Sequence, residues 1–287
     1  MLRRFAFLAA AVFAAGCVAP RQEASPLRLA AWNLEHLAEA DSSGCKPRTE
    51  ADHAALRAYV EHLDADVIAF QEVESAAAAA RVFDPGRYQI IIEERQGGGA
   101  RLECRGLPGH FLNRQATGFA IRRGIAFERH ADFVALQLGD ANLRSAVDIT
   151  LRPSGQEPVR LLSVHLKSGC AAGESAEACA VLRQQIQVLE GWIDARDAGE
   201  RFAVLGDFNR RLSLAEDSLW AELNDGDPQP LRLASGLQGP QCDPRFSTFI
   251  DYIVTADLGS PWAFREWLFD GENLSDHCAV SVDIQIN

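Results

Sequence analysis

The sequence lacks a close Cys-x-x-Cys pair, an excess of basic residues, internal repeats and any long apolar run beyond its first segment. Without a close cysteine pair or matching histidine spacing, the cysteines do not indicate a zinc site. The 28 Lys and Arg are outnumbered by 40 Asp and Glu, which gives a formal net charge of −12. This acidity argues against broad charge-driven binding to DNA or anionic lipid, although bound cations or a local basic groove can offset it.

A break in composition that would mark a linker between domains is also missing. The chain has 287 residues, of which 47% are hydrophobic, and this is enough to bury a sizeable core. We therefore expect one domain over residues 27–287. We also expect the protein to be a monomer.

The first segment, residues 1–16, has the pattern of a secretion signal. Arg3 and Arg4 precede an apolar run from Phe5 to Ala15. That run is too short to span a bilayer, and the basic-then-apolar order is typical of a segment that is removed after export.

The end of this segment resembles the bacterial lipobox, in which a cysteine is acylated and becomes the mature amino terminus. The residues are Ala14-Ala15-Gly16-Cys17. An ordinary signal peptide with an incidental cysteine is the alternative. We expect lipidation at Cys17, a tether over residues 17–26, and an outer-membrane location, because Val18 stands where aspartate would favour retention at the inner membrane.

Six cysteines remain once Cys17 is set aside, and an even number in an exported chain predicts disulfide bonds. Six cysteines allow fifteen pairings. Cys170 and Cys179 close a short loop of Gly, Ala and Ser, which favours this pair. We expect Cys45 to pair with Cys104, since both lie in polar loops that contain glycine, which leaves Cys242 with Cys278.

Short apolar runs alternate with polar or Gly-rich loops after the tether, which predicts an α+β chain rich in strands. Helical spacing over residues 49–63, with Thr49 and Asp52 as a capping pair, predicts a helix. Further helices are expected at 176–195 and around 76–80, and a mobile surface loop at 96–114. The predicted strands are 27–33, 66–71, 88–93, 116–121, 126–136, 143–151, 159–165, 202–205, 247–255, 262–268 and 278–286.

Polar residues recur where these apolar runs end. Asn33, Glu72, His165 and Asp207 each follow a run of strand type. Since strand ends deliver side chains to a shared sheet edge, these four residues are candidates for metal binding or proton transfer.

Two strings read singly are ordinary turns: Gly206-Asp207-Phe208-Asn209 and Ser275-Asp276-His277. Their order along the chain is more specific. It runs Trp32-Asn33-Leu34-Glu35, Gln71-Glu72-Val73, His165-Leu166-Lys167-Ser168, Gly206 to Asn209, Ile250-Asp251-Tyr252 and Ser275 to His277. This series resembles the endonuclease/exonuclease/phosphatase superfamily, the deoxyribonuclease I-like enzymes, from about Leu27 to the end of the chain.

The resemblance implies a four-layer α/β/β/α sandwich, in which two packed mixed sheets are flanked by helices. It also implies hydrolysis of a phosphate ester with Mg²⁺ or Mn²⁺. A phosphodiester is anionic and repels hydroxide, so a hard cation held by carboxylate and carboxamide oxygens suits the chemistry.

On the metal side, the resemblance implies that Glu72 is the principal ligand, with Asn33 beside it. Asp276 is a further candidate ligand. Asp207 matches a residue that positions the attacking water or a second metal.

On the catalytic side, the resemblance implies that His277 acts as the base-like histidine and that Asp251 orients it. His165 would donate to the phosphate or its leaving oxygen, and Asn209 would contact the phosphate. Arg144 resembles a strand-borne arginine that binds phosphate in the nuclease branch, and an exposed arginine on a strand is the alternative.

The leading functional hypothesis is an exported, membrane-tethered nuclease or related phosphodiesterase whose partner is nucleic acid. No aromatic hairpin of the sphingomyelinase kind is evident, which favours this hypothesis. The alternatives are a phosphatase or phospholipase C-like enzyme on lipid head groups or small phosphate esters, and a non-catalytic surface lipoprotein. Five other histidines are interpreted as surface or packing residues: His36, His53, His62, His110 and His130.

Overall fold

Two six-stranded mixed sheets form the centre of the protein. The computed structural model describes residues 26–95, 102–259, 263–271 and 274–285. The expected signal segment, Cys17, most of the tether, the start of the predicted loop at Gln96 and the start of the predicted strand at Trp262 lie outside these residues. The first sheet has the order β11-β12-β1-β2-β4-β3, and the second has the order β5-β6-β7-β8-β10-β9.

The helices are α1 (Glu50–Leu63), α2 (Ala76–Ala80), α3 (Glu177–Asp194) and α4 (Ser218–Leu223). The first six strands are β1 (Leu27–Leu37), β2 (Val67–Val73), β3 (Tyr88–Ile92), β4 (Ala116–Arg122), β5 (Ala126–Arg129) and β6 (Val147–Arg152). The others are β7 (Val159–His165), β8 (Phe202–Asp207), β9 (Arg232–Leu233), β10 (Asp251–Ala256), β11 (Ala263–Trp267) and β12 (Ala279–Ile284).

The alternation of β1 shows how the sequence builds the layers. Leu29 and Ala31 belong to the core between the sheets, whereas Ala30 and Trp32 belong to a second core under α1. Successive side chains of a strand point to opposite faces, so a strand that is apolar on both faces must be covered on both. The near-continuous apolar run of β1 is therefore the signature of an inner layer of the sandwich.

The outer layers are helices that cover the two sheets. Helix α1 begins at the expected cap, where the Thr49 side chain and Asp52 form a reciprocal capping box. Helix α3 packs on the second sheet, where Trp192 meets Phe202 edge-on with ring centroids 5.8 Å apart. The predicted four-layer α/β/β/α sandwich is confirmed. Within the described ranges, no helix is long and apolar enough to cross a membrane.

Three disulfides are formed, with the pairing expected from the sequence: Cys45–Cys104, Cys170–Cys179 and Cys242–Cys278. Cys104 fixes the described part of the predicted loop at 102–114. There Glu103 and Phe111 form an isolated antiparallel bridge.

Several predicted elements differ from the structure. The strand expected over 126–136 was wrong in its second half, because β5 ends at Arg129 and residues 134–137 form a 3₁₀ turn. Gln185 of α3 donates to the carbonyl of Leu136 over 2.8 Å, which secures that turn. The strands expected over 143–151 and 247–255 start later, at Val147 and Asp251. Helix α4 and strand β9 were not predicted.

Candidate active site

Three neighbouring strands of the second sheet place a row of polar side chains at one edge. His165 and Asp207 are the last residues of the parallel strands β7 and β8, and they are direct partners in the register. Asp251 is the first residue of antiparallel β10 and pairs with Asp207 on its other side. The three residues therefore lie side by side, and all three are buried.

The turn after β8 depends on its glycine. Gly206 has φ 141°, and a Cβ atom there would collide with the carbonyl oxygen of Val164 on β7. Asn209 adopts φ 52°, and its backbone N–H donates to Asp207 Oδ1 over 2.8 Å. Asn is among the residues that best tolerate this left-handed conformation. The string that reads as an ordinary turn thus locks the Asp207 carboxylate in one orientation.

The first sheet contributes Asn33 from β1 and Glu72 from β2. Glu72 has φ 60° and lies where the pairing of β2 with β4 shifts register. Such a bulge re-aims a side chain. The Glu72 carboxylate is held by His36, whose backbone N–H donates to Oε2 over 3.1 Å.

The two sheets meet through these side chains. Asn33 Nδ2 donates to Asp207 Oδ2 over 3.1 Å, and Asn33 Oδ1 accepts the Glu35 N–H over 3.0 Å. His165 Nε2 lies 3.6 Å from Asp207 Oδ2 and 3.7 Å from Glu72 Oε1. The structure therefore brings together the groups that the sequence placed at four separate strand ends.

His277 approaches the same edge from the segment before β12. Its Nδ1 donates to Asp251 Oδ2 over 2.6 Å, and its main chain is held by Ser275 Oγ at the N–H and by Trp32 Nε1 at the carbonyl. Ser275 in turn donates to the Asn33 carbonyl over 2.8 Å. With Nδ1 engaged by the carboxylate, Nε2 is the ring nitrogen left to meet a substrate.

The charges of this row are strongly coupled. Burial, with the negative charge of Asp251 adding to it, raises the pKa of Asp207 to about 7. Burial by itself lowers the pKa of His277, but the charge and hydrogen bond of Asp251 outweigh it, so the net pKa stands well above 6.5. In the metal-free protein, His277 therefore carries a positive charge beside the buried Asp207 and Asp251.

His165 has the opposite character. Burial lowers its pKa well below 6.5, and the positive charge of Arg144 acts in the same direction. Its Nδ1 is buried with no hydrogen-bond partner among the described residues. The two histidines of the site thus differ in protonation at neutral pH, which is the division expected of groups with separate tasks.

Arg144 is buried rather than exposed, and it lies three residues before β6 rather than on the strand. Both alternatives drawn from the sequence placed it on a strand, and both were wrong in that respect. Its Nη2 donates to the Leu166 carbonyl over 2.7 Å, the same oxygen that accepts Asn209 Nδ2 over 3.1 Å. Arg144 Nε is buried without a partner in the described part of the chain, so a donor remains available beside His165.

Two residues near the site were missed in the sequence. His36, interpreted as a surface or packing residue, lies with Nδ1 3.1 Å from Glu72 Oε2. Glu93 is fully buried and accepts the Ser145 N–H over 2.8 Å, which fixes the main chain next to Arg144. Glu93 is the last residue of a predicted strand. The criterion that selected Glu72, a polar residue where an apolar run ends, therefore also applied to Glu93.

Asp276 lies at the rim of the site. Its side chain is 64% exposed, and its Oδ1 is 3.7 Å from His277 Nε2. Its backbone N–H donates to Glu35 Oε2 over 2.9 Å. Asp276 therefore does not share the buried environment of Asn33 and Glu72.

The donor set fits a hard divalent cation. Asp207, Asp251 and His277 have ligand atoms within 4.8 Å of one another. Asp251 Oδ1 is buried without a hydrogen-bond partner in the described ranges, and Asp207 is a buried carboxylate beside it. A carboxylate oxygen without a partner, beside a second buried carboxylate and a carboxamide, suits the oxygen ligation that Mg²⁺ and Mn²⁺ prefer.

Residues 30–277 match the model of the Endonuclease/Exonuclease/phosphatase family, and the chain belongs to that family. No curated protein sequence matches it.

Solved structures share the fold at low sequence identity. A humanized TDP2 of D. rerio is 18% identical, with a TM-score of 0.61 over 91% of this chain and 99% of its own. The human Nocturnin catalytic domain with bound sulfate is 18% identical, with a TM-score of 0.59 over 91% and 95%. An endonuclease/exonuclease/phosphatase from Bacteroides vulgatus is 13% identical, with a TM-score of 0.60 over 92% and 100%. At this identity, the likeness establishes the fold alone.

Proposed function

We propose that this protein is a divalent-metal-dependent phosphodiesterase whose substrate is nucleic acid. Two histidines with different roles support this proposal. His277 is hydrogen-bonded to Asp251 over 2.6 Å, and a second, neutral histidine, His165, lies at the same edge. A charged and a neutral imidazole at one sheet edge provide for two separate proton or hydrogen-bond tasks on a phosphate ester.

Glu72 and Asn33 would hold the cation, with Asp207 and Asp251 contributing the further negative charge. When bound, Mg²⁺ or Mn²⁺ would neutralise charge on the phosphate and favour attack by water. Asp276 could act as a further ligand only from the rim of the site, because its side chain is 64% exposed.

The chain's own residues then divide the work. His277 Nε2 faces the site and exchanges a proton, while Asp251 keeps the imidazole oriented and stabilises its charged form. Asp207, fixed by Asn33 and the Asn209 N–H, orients the attacking water. His165 and Arg144 donate hydrogen bonds to the phosphate oxygens.

Asn209 would contact the phosphate from the same turn. Its Nδ2 and the Arg144 guanidinium converge on the Leu166 carbonyl, next to His165. This places neutral and charged donors in one cluster, which suits an anion whose charge is spread over several oxygens.

A substrate panel tests the proposal. The full chain is incubated with DNA, RNA, a phosphomonoester and a phosphocholine lipid in the presence of Mg²⁺ or Mn²⁺. Nucleic-acid cleavage that is lost in His277→Ala and kept in the exposed control His62→Ala supports it. Faster release of phosphate or phosphocholine would favour the phosphatase or phospholipase alternative, and cation binding without hydrolysis of any substrate would favour a non-catalytic protein.

We also propose that the protein is exported, lipid-anchored at Cys17 and monomeric. Three disulfides support an oxidising compartment. Labelling cells with a radioactive fatty acid tests the anchor: the wild type should carry the label, and Cys17→Ala should not.

A further inference from the structure

A cavity of about 380 Å³ opens at the pair of His277 and Asp251, which form part of its wall. Its walls come from the segment 240–250, which precedes Asp251, and from Arg211, which follows the turn of Asn209. The Cys242–Cys278 disulfide ties that segment to the residue after His277. The cavity is therefore built onto the catalytic edge and continues it to one side.

Three of the four carboxylates that line this cavity accept a hydrogen bond from a neighbouring residue. Asp243 accepts Arg245 Nε over 2.8 Å, Asp251 accepts His277, and Glu266 accepts the Gln241 N–H over 2.6 Å. Asp276, at the rim, lies near His277.

Arg211 is different from the other charged groups. Its backbone N–H donates to Ala171 over 2.9 Å, and its guanidinium lies 4.3 Å from the centroid of the Phe246 ring. It forms no ion pair with any carboxylate in the described part of the chain. Stacking on a ring fixes the plane of a guanidinium and leaves the N–H donors at its edge available. Phe246 itself is 44% exposed, which is unusual for a large apolar side chain.

We propose that Arg211 and Phe246 form a substrate subsite that binds the nucleotide next to the scissile phosphate, with Arg211 on the neighbouring phosphate. This inference rests on the proposed nuclease function and concerns the part of the substrate next to the cleaved bond. An orientated guanidinium matches a second phosphate, and the apolar wall around Phe246 suits a base or sugar. A simple phosphate ester has no second anion and would leave Arg211 without a partner.

Dithymidine substrates test the subsite. TpT has one phosphate, whereas pTpT and TpTp carry a second phosphate on the 5′ or 3′ side. We expect the wild type to prefer one of the two over TpT by about 10- to 100-fold in kcat/KM, mostly through KM, as for one charge-assisted hydrogen-bonded pair. Arg211→Gln should lose this preference while still cleaving TpT, and Arg211→Lys should restore part of it.

The matched control is Arg265→Gln. Arg265 also stacks on an aromatic ring, 3.8 Å from the Trp267 centroid, but it lies on the edge strand β11 and does not line the cavity. This variant should keep the full preference. An unchanged preference in Arg211→Gln, or a wild type that does not distinguish the three dinucleotides, would overturn the subsite.

Calorimetric binding of pTpT and TpTp in EDTA provides a readout that does not require turnover. Arg211→Gln should weaken binding of the preferred dinucleotide at least about 5-fold relative to Arg265→Gln. Equal binding by the two variants counts against the subsite. Failure to cleave any dinucleotide, with this binding difference intact, would instead refute the proposed activity.

Discussion

Asp207→Asn should stabilise the metal-free protein while it abolishes activity. The folded pKa of Asp207 is about 7, against an ordinary value near 3.8. Between these pH values the folded chain keeps a proton that the unfolded chain has lost, so this group makes stability fall as pH rises. Above pH 7 the full difference of about 3 pKa units corresponds to about 4 kcal/mol.

The amide of Asn cannot accept both hydrogen bonds that Asp207 receives from Asn33 and from the Asn209 N–H. Losing one costs about 1 kcal/mol. We therefore expect Asp207→Asn to gain about 3 kcal/mol near pH 8.5. Near pH 4.5 it should gain almost nothing, because the difference in protonation between the folded and unfolded chains is then worth only about 1 kcal/mol and offsets the lost hydrogen bond.

Chemical denaturation in EDTA at the two pH values measures this difference. The exposed Asp270 provides a control, because Asp270→Asn should change stability by less than about 0.5 kcal/mol at either pH. Equal stability of Asp207→Asn and the wild type at high pH would refute the conclusion that the buried, ionised Asp207 destabilises the folded protein.

Asp251→Asn should lower the pKa of His277 in the metal-free protein, because the charge and hydrogen bond of Asp251 that counteract burial are lost. NMR titration of the imidazole measures this shift, and a His277 pKa that does not fall would contradict the pairing. The same variant should lower kcat by about 10³-fold or more. Removal of disulfides should destabilise in the order of loop length. The closed loops of 59, 36 and 9 residues predict losses in the free energy of unfolding of about 4, 4 and 3 kcal/mol. Reductant should therefore lower the melting temperature, and an unchanged melting temperature would argue against the disulfides. Glu93→Gln should reduce kcat through a shifted Arg144 without lowering cation affinity, and calorimetry with Mn²⁺ separates the two effects.

The parts of the fold that depend on periodicity could be predicted from the sequence. The apolar alternation of β1, the capping box of α1 and the polar residues at strand ends follow from local chemistry. The joint order of those strand ends then indicated which residues meet, and Asn33, Glu72, His165 and Asp207 do lie together.

The remaining features depend on tertiary context. Glu72 reaches the site through a register shift, and Arg144 through a loop held by Glu93, and neither leaves a periodic signal. The apolar run after Arg129 turns into a 3₁₀ segment because α3 binds its carbonyl, a contact about fifty residues distant. His36 was missed because no motif surrounds it, and only its distance to Glu72 shows its place.

Hydrolysis of bis(4-nitrophenyl) phosphate by the full chain with Mg²⁺ or Mn²⁺ tests whether a cation-dependent site lies between the two sheets. We expect turnover that EDTA abolishes and that Glu72→Gln lowers at least about 100-fold. The exposed control Glu61→Gln should leave turnover unchanged. Turnover that persists in EDTA, or that Glu72→Gln retains in full, would contradict a cation-dependent site between the two sheets.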